Sequence, residues 1–388
     1  MEGVAITRSG VTIFGVLLLI VISTLVATTV LGAAGAERGV AEVGIRRVQS
    51  RALAWSGVQA VMSELLDQRE QILRGEAPVV TEEWALFEGP DGSEGVVRLL
   101  DLDPDGEARL VSESAKLDVN RATAEMLANL DLVDEALAAS IVEARGSGRF
   151  ESLGDLLEIE GVTPAMLYGV DDQPRLADVL TVYGADPNVQ AGLDNATHAG
   201  TKRINLNMPW SDRLGRAIAQ RLDQQTADGV RQIMENGTTF ATDGDVVRVL
   251  RFFDVDVEEW VTPFDIFTTS DDAYRFGRVD LSMASAEVLA CIPGITPDIA
   301  ASIVAARDGL DPEERRTVCW PVLEELIEKE SFEQAVDWLT TRSMQWRVRL
   351  ECGIDRGGNL QPPEVESDQF GIATVLSAEE GLEDRIVV

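Results

Sequence analysis

The chain holds one histidine, His198, in the polar run GLDNATHAGTK, so any site using an imidazole base would have to be assembled there. No flanking residue marks out a nucleophile. No catalytic residue is nominated, and an enzyme is the least supported class. Cys291, Cys319 and Cys352 lack Cys-x-x-Cys spacing, which argues against a zinc cage. An odd count leaves one thiol over if any bridge forms, and buried free cysteines are as good a reading as a disulfide. Asp101, Asp103 and Asp105, followed by Gly106, imitate the opening of a calcium loop. The twelfth loop position would be Ser112 rather than a bidentate Glu, Glu113 misses by one residue, and no helix leads in. Asp-Pro-Asp-Gly between two apolar-rich arms reads better as the turn of a hairpin. Calcium is the one ion those aspartates are candidates for, and no other cofactor is expected.

The elements around these residues begin with an apolar run. No charged residue occurs between 11 and 36, and the stretch from 13 to 30 is mostly Leu, Ile and Val. Ile13, Phe14, Leu17, Leu18, Ile20 and Val21 open a segment long enough to cross ~30 Å of hydrocarbon as a helix. It is too long for the apolar region of a cleaved secretory peptide, and no clean Ala-x-Ala site follows in polar sequence. The helical pattern continues through Ile45, Val48, Ala52, Trp55, Val58, Met62, Leu65 and Ile72, and LRGEAP at 73–78 reads as its stop. Gly32, Gly35, Gly39 and Gly44 soften the join, where a bend or partial melting is expected. Strand-like sequence follows, then a long helical block, then β character again in RSMQWRVRLECGI and QFGIATVLSAEEGLEDRIVV. Strands on both sides of a helical block imply an α+β chain with the block inserted into a smaller αβ domain.

The block repeats itself. KLDVNRATAEMLANLDLVDEALAASIVEAR in the first copy matches RVDLSMASAEVLACIPGITPDIAASIVAAR in the third, and a weaker middle copy opens RINLNMPWSDRLGRAIAQRL. Phe150, Leu156 and Leu157 correspond to Phe240, Val246 and Val247, and to Trp320, Leu326 and Ile327. These units resemble helix-hairpin-helix modules, whose Pro-Gly-Ile-Gly hairpin aims backbone N–H groups at a nucleic-acid phosphate. Here the hairpins read Asp131-Leu132-Val133-Asp134 and Leu222-Asp223-Gln224-Gln225, and only the third keeps Pro293-Gly294-Ile295, with Thr296 in place of the second glycine. A further hairpin in the first copy, Gly161-Val162-Thr163-Pro164, has one glycine. The chain carries 67 acidic against 33 basic side chains, a formal net charge of −34. Phosphate binding runs on Lys and Arg, so a packing role is expected and no nucleic acid is a predicted partner.

Taken together, four features resemble the K-type minor pseudopilins of type II secretion systems. A short leader ends at Gly10 before the apolar helix, as in substrates of prepilin peptidase. SRALAWSGVQAVMSEL at 50–65 resembles the Ala-rich helix of that family, SAKLDVNRATAEML at 114–127 its lead into the helical insertion, and TTRSMQWRVRL at 340–350 its closing β segment. The resemblance implies cleavage between Gly10 and Val11. It implies a leader at 1–10, a membrane half of the pilin-type helix at 11–36, and a soluble half with the first strands at 37–116. An all-α insertion at 117–340 would follow, with copies near 116–175, 203–262 and 277–340, and then a β segment at 341–388. Pilin-like subunits carry Glu at the fifth mature position, where it neutralises a neighbour's α-amine, and here that position is Gly15. K-type subunits lack this Glu, which fits a place at the pilus tip. The implied partners are minor pseudopilins of types I, J and H and the prepilin peptidase. The implied location is the inner membrane, single-pass, with most of the chain in the periplasm. Arg8 lies before the span while Arg38, Arg46, Arg47 and Arg51 follow it, so the charge count alone places the N-terminus outside. The alternatives are a minor pilin of a type IV pilus, and a membrane-anchored helix-hairpin-helix DNA receptor of the competence type.

Overall fold

The computed structural model describes residues 8–90, 92–100, 110–146, 148–170, 174–221, 223–355, 360–361 and 370–374. At 8–12, 42–43, 46–47, 221, 355, 360–361 and 370–374 only the backbone is described. Asp101, Asp103, Asp105 and Gly106 lie outside the described residues, as do Leu222, positions 1–7 and positions 375–388. The chain divides into two compact units, one of 1–57, 83–98 and 350–368, the other of 58–82, 99–349 and 369–388.

One helix runs from Arg8–Asp67 without a break. Gly32, Gly35, Gly39 and Gly44 all sit within it, so the expected melting at the join does not occur. A helical glycine costs only about 1 kcal/mol against alanine, and sixty consecutive residues carry four such costs easily. In the first unit, strands Glu83–Glu88 and Glu94–Leu100 pair antiparallel, with Glu83 opposite Arg98 and an ion pair between them. Gly95 lies under the Phe87 ring, where any Cβ would collide, and a bulge between Ala85 and Phe87 sets that register.

Among the described residues, the two arms flanking Asp-Pro-Asp-Gly do not pair with each other. Strand Glu94–Leu100 pairs with Glu83–Glu88, whereas Leu110–Ser112 pairs with Trp346 to Val348. A turn sequence dictates a reversal of the chain but not which strand lies alongside afterwards.

In the second unit the helix ends in the core through Val58, Val61 and Leu65, with Ile72 and Leu73 buried in the short helix beyond. Gln68 closes that corner, its side chain donating to the Val79 carbonyl at 2.6 Å and accepting from the Val79 N–H at 2.9 Å. The block from 117 to 340 is not all-α. Among the described residues four two-stranded ladders lie within it, and three repeat one pattern. Leu117–Asp118 pairs in parallel with Leu180–Thr181, Ile204–Asn205 with Phe267–Thr268, and Val279–Asp280 with Leu339–Thr340. Each ladder joins the opening of one copy to its end. The first copy reaches Thr181 and the second Thr268, beyond the ends read at 175 and 262. Two-residue strands carry no periodicity, which is why the helical reading of the block missed them. The fourth ladder pairs Ala185–Pro187 with Tyr274–Phe276, antiparallel.

Copies one and three share a hydrophobic core that includes Met126, Leu127, Ile141, Leu156, Val288, Ile303, Trp320 and Phe332. The second copy keeps a smaller core of its own around Leu214, Ile218, Phe240 and Ile266.

Candidate functional site

The three ladders fix one local device. At the end of each opening strand an Asp or Asn accepts the backbone N–H two residues on: Asp118 from Asn120 at 2.8 Å, Asn205 from Asn207 at 2.8 Å and Asp280 from Ser282 at 2.9 Å. In copies one and two an Asn then clamps the chain just ahead of the next helical segment. Asn120 exchanges hydrogen bonds with the backbone of Phe150, and Asn207 with that of Phe240. Burial, opposed by the Ser282 N–H and by Arg307, pushes Asp280 up to about 7. Burial likewise raises Asp118, to about 6, against the Asn120 N–H and the nearby Arg149. An unfolded Asp titrates near ~3.9. Below that pH both states hold the proton and the carboxyl costs nothing; from pH 4 to 7 the unfolded state ionises first and stability falls. Asn205 already fills the equivalent place, so Asp280→Asn is expected to keep the turn. Urea unfolding at pH 8 should show a gain of about 1–3 kcal/mol that vanishes near pH 4. Equal stability of the two proteins at pH 8 would mean the carboxylate is compensated.

The hairpins stand at the places where a helix-hairpin-helix module would meet a phosphate, and each is already occupied. In copy one the Asp134 carboxylate accepts the Leu137 N–H at 2.7 Å, at the start of helix Glu135–Gly146. In copy two Asp223 accepts the Thr226 N–H at 2.6 Å, and in copy three Thr296 caps Ile299 at 3.3 Å. A cavity of about 650 Å³ lies between the two hairpins of copy one, lined by Asp131, Asp134 and Glu160 and by no Lys or Arg. Gly294, with φ +83°, is the glycine that best preserves the phosphate-binding pattern. A Cβ on it would collide with the Ser331 carbonyl oxygen of helix Lys329–Ala335. That glycine serves a close helix approach, and the helix covers it.

The charged residues that organise the second unit escaped the sequence reading. Arg342, 4% exposed, donates to Asp186 at 2.7 Å and to the carbonyls of Leu73, Pro187 and Val189 at 3.0, 2.6 and 2.9 Å. Arg278 lies 3.7 Å from Asp186 and is hydrogen-bonded to Asp243. Arg275 joins Asp243 at 3.3 Å to Asp337 at 2.8 Å. Asp265 accepts the backbone N–H groups of Ala191, Gly192 and Leu193. Arg203 donates its Nε to the Asp265 carbonyl at 3.1 Å, and burial with Arg342 close by lowers it to about 10. One signal was readable: a basic residue, Lys116, Arg203 or Arg278, stands directly before the opening strand of each copy.

Of the nominated positions, Ile13, Phe14, Leu17, Leu18, Ile20 and Val21 lie on a segment, Ile13–Ala41, of mean hydropathy 2.6 with none of it buried. By length and composition it is able to cross a membrane. Gly15 has no atom within 4 Å of the place a Cβ would take. Gly10 and Val11 are in helical backbone. His198 lies 3.3 Å from Asp194 on the surface, and no nucleophile joins the pair. All three cysteines are free thiols; burial pushes Cys291 and Cys319 up to about 12, so neither is a nucleophile at neutral pH. Among the described residues no group of three His, Cys, Asp or Glu is placed to hold a metal ion.

The profile of the helix-hairpin-helix motif family matches residues 112–173. Those residues contain the first copy's two hairpins and the helices Ala124–Ala128 and Glu135–Gly146. No curated protein matches the chain.

Proposed function

We propose that this chain is a minor pseudopilin of the K type, capping the pseudopilus of a type II secretion system. It would be anchored once in the inner membrane, with its head in the periplasm. The observation that carries the reading is the unbroken helix Arg8–Asp67, apolar and uncovered along Ile13–Ala41, with open space at Gly15. Subunits of this kind pack through such a helix. An isolated carboxylate in hydrocarbon is kept only where a partner neutralises it, so a chain with glycine at that place needs no neighbour ahead of it. The role is structural, and the partners would be pseudopilins of types I, J and H. The family resemblance sets the orientation against the Arg8 versus Arg38 and Arg51 count.

The test is processing followed by co-purification. The mature protein should begin at Val11 and be recovered with I- and J-type subunits. A start at Met1 or beyond Ala34, or regular filaments of this protein alone, overturns the proposal. The helix-hairpin-helix match favours a second reading, a membrane-tethered DNA receptor. Asp134, Asp223 and Glu160 at the hairpins weigh against it, and salt-sensitive DNA binding at micromolar protein in a mobility-shift assay would establish it instead.

A further inference from the structure

The second unit contains a cleft lined by three residues, Arg74, Arg316 and Trp320, each with one buried N–H that has no acceptor. It has a volume of about 430 Å³ and joins a smaller cavity of about 30 Å³ through the shared lining of Ala191, Leu193, Arg316 and Thr317. Its wall is held by specific contacts. The Leu73 carbonyl accepts from Arg342, and Gly75, at φ +83°, is pressed against the Thr341 carbonyl, 2.7 Å from where a Cβ would sit. Glu76 pairs with Arg316 at 2.6 Å. Arg74 is thereby set into the cleft on an anchored segment. Among the described residues no ion pair is made by its guanidinium, and its buried Nε has no partner. Arg316 Nε and the indole N–H of Trp320, 1% exposed, are buried at the same cleft and equally unpartnered. In the adjoining cavity the Arg278 Nε is also without a partner.

Guanidinium and indole N–H groups have no acceptor capacity, so whatever satisfies them must bring oxygen lone pairs. Buried polar groups left unpaired are rare, and several around one cleft mark a binding place. The remaining lining includes Leu193, Val261 and Leu323, while Glu313, Glu314 and Glu324 stand exposed, where water screens them, and Glu313 lies 3.8 Å from Arg316 Nη1. We propose that this cleft binds the carboxylate of a ligand with a short apolar stem: the carboxylate meets Arg74, Arg316 and Trp320, and the stem lies along Leu193 and Leu323. A planar carboxylate suits a guanidinium fork, and the volume exceeds what a bare inorganic ion requires. Such a group reaches the protein either as a free small acid or as the C-terminus of a polypeptide.

The experiment uses the full chain in mild detergent, with 4-methylpentanoate as probe and 4-methylpentanamide as its neutral counterpart. Thermal unfolding should shift upward with the acid and not with the amide. Arg74→Gln, which disrupts no ion pair, should weaken acid binding roughly tenfold or more and leave the ligand-free unfolding temperature unchanged. Arg98→Gln, at a residue that lines neither cavity, should leave acid binding unchanged. A short peptide ending in Leu with a free C-terminus, compared with its amidated form, separates the sources: tighter binding than the small acid points to a polypeptide end, equal binding to a free acid. The proposal is overturned if acid and amide act alike, if chloride reproduces the shift, if Arg74→Gln binds normally, or if no shift occurs at tens of millimolar acid.

Discussion

Arg342→Ala is expected to cost about 3–5 kcal/mol and to lower the midpoint of urea unfolding more than any other single change to a charged residue. The side chain spends its donors on Asp186 and on three carbonyls from two separate segments, at 72–74 and 186–190. Truncation strands all of them in a place water does not reach, and removing one partner of a buried pair costs more than the pair itself contributes. Burial alone would raise Asp186, yet Arg342, then Arg278 and Arg203, hold it below the ordinary carboxylate range. A depressed carboxylate stabilises the fold above its unfolded pKa and loses that contribution as the pH falls through the folded value. In the variant the balance reverses, because Asp186 keeps its burial and loses its principal cation. The loss should therefore be larger at pH 8 than at pH 5, where the stranded carboxyl can take a proton. Arg342→Lys should fall between, since one ammonium cannot span acceptors on both sides. A loss below about 1 kcal/mol for the alanine variant at neutral pH would show that the network is dispensable.

Gly294→Ala is expected to destabilise the protein by more than the about 1–3 kcal/mol that a left-handed backbone alone imposes on a side chain. The φ of +83° is one cost, and collision with the Ser331 carbonyl is another, since that backbone atom cannot rotate aside. Gly161→Ala is the control. Its φ is +100°, but the nearest atom to a Cβ is Leu137 Cδ1 at 3.8 Å, so only the backbone cost applies. The difference in urea midpoint between the two variants isolates the contribution of close helix packing. If Gly294→Ala left stability intact and changed DNA retention instead, the hairpin would be a phosphate site after all.

Parts of this architecture were legible because their signals are long. A run without charge from 11 to 36 can hardly be anything but an apolar helix, and the copy at 117–145 carries enough caps and apolar spacing to be read as helix–hairpin–helix. The clasping ladders were not legible, because Leu180-Thr181 or Leu339-Thr340 is too short to alternate. Nor was the arginine network, whose members Asp186, Asp243, Arg278 and Arg342 are scattered over more than 150 positions and meet only once the copies have packed. The acidic hairpins were read correctly as to residue type, but not the reason Gly294 survives. Its partner is a carbonyl on a helix almost forty residues later. Pairing of Leu110–Ser112 with Trp346–Val348 was hidden for the same reason, since sequence neighbours suggest themselves first.

The parallel ladders have a mechanical meaning. Leu117 and Leu180, Ile204 and Phe267, and Val279 and Leu339 stand side by side although each pair brackets a whole copy. Tension carried along the main chain therefore crosses each copy through its two-residue clasp, and the enclosed helices bear no load while it holds. Parallel strands pulled from opposite ends are stressed in shear, so their hydrogen bonds resist together rather than opening one after another. The chain that each clasp brackets has a contour length of roughly 200 Å. Tension on a chain built in this way meets the clasps before the helices they enclose, and the core shared by copies one and three ties the yielding of one to the other.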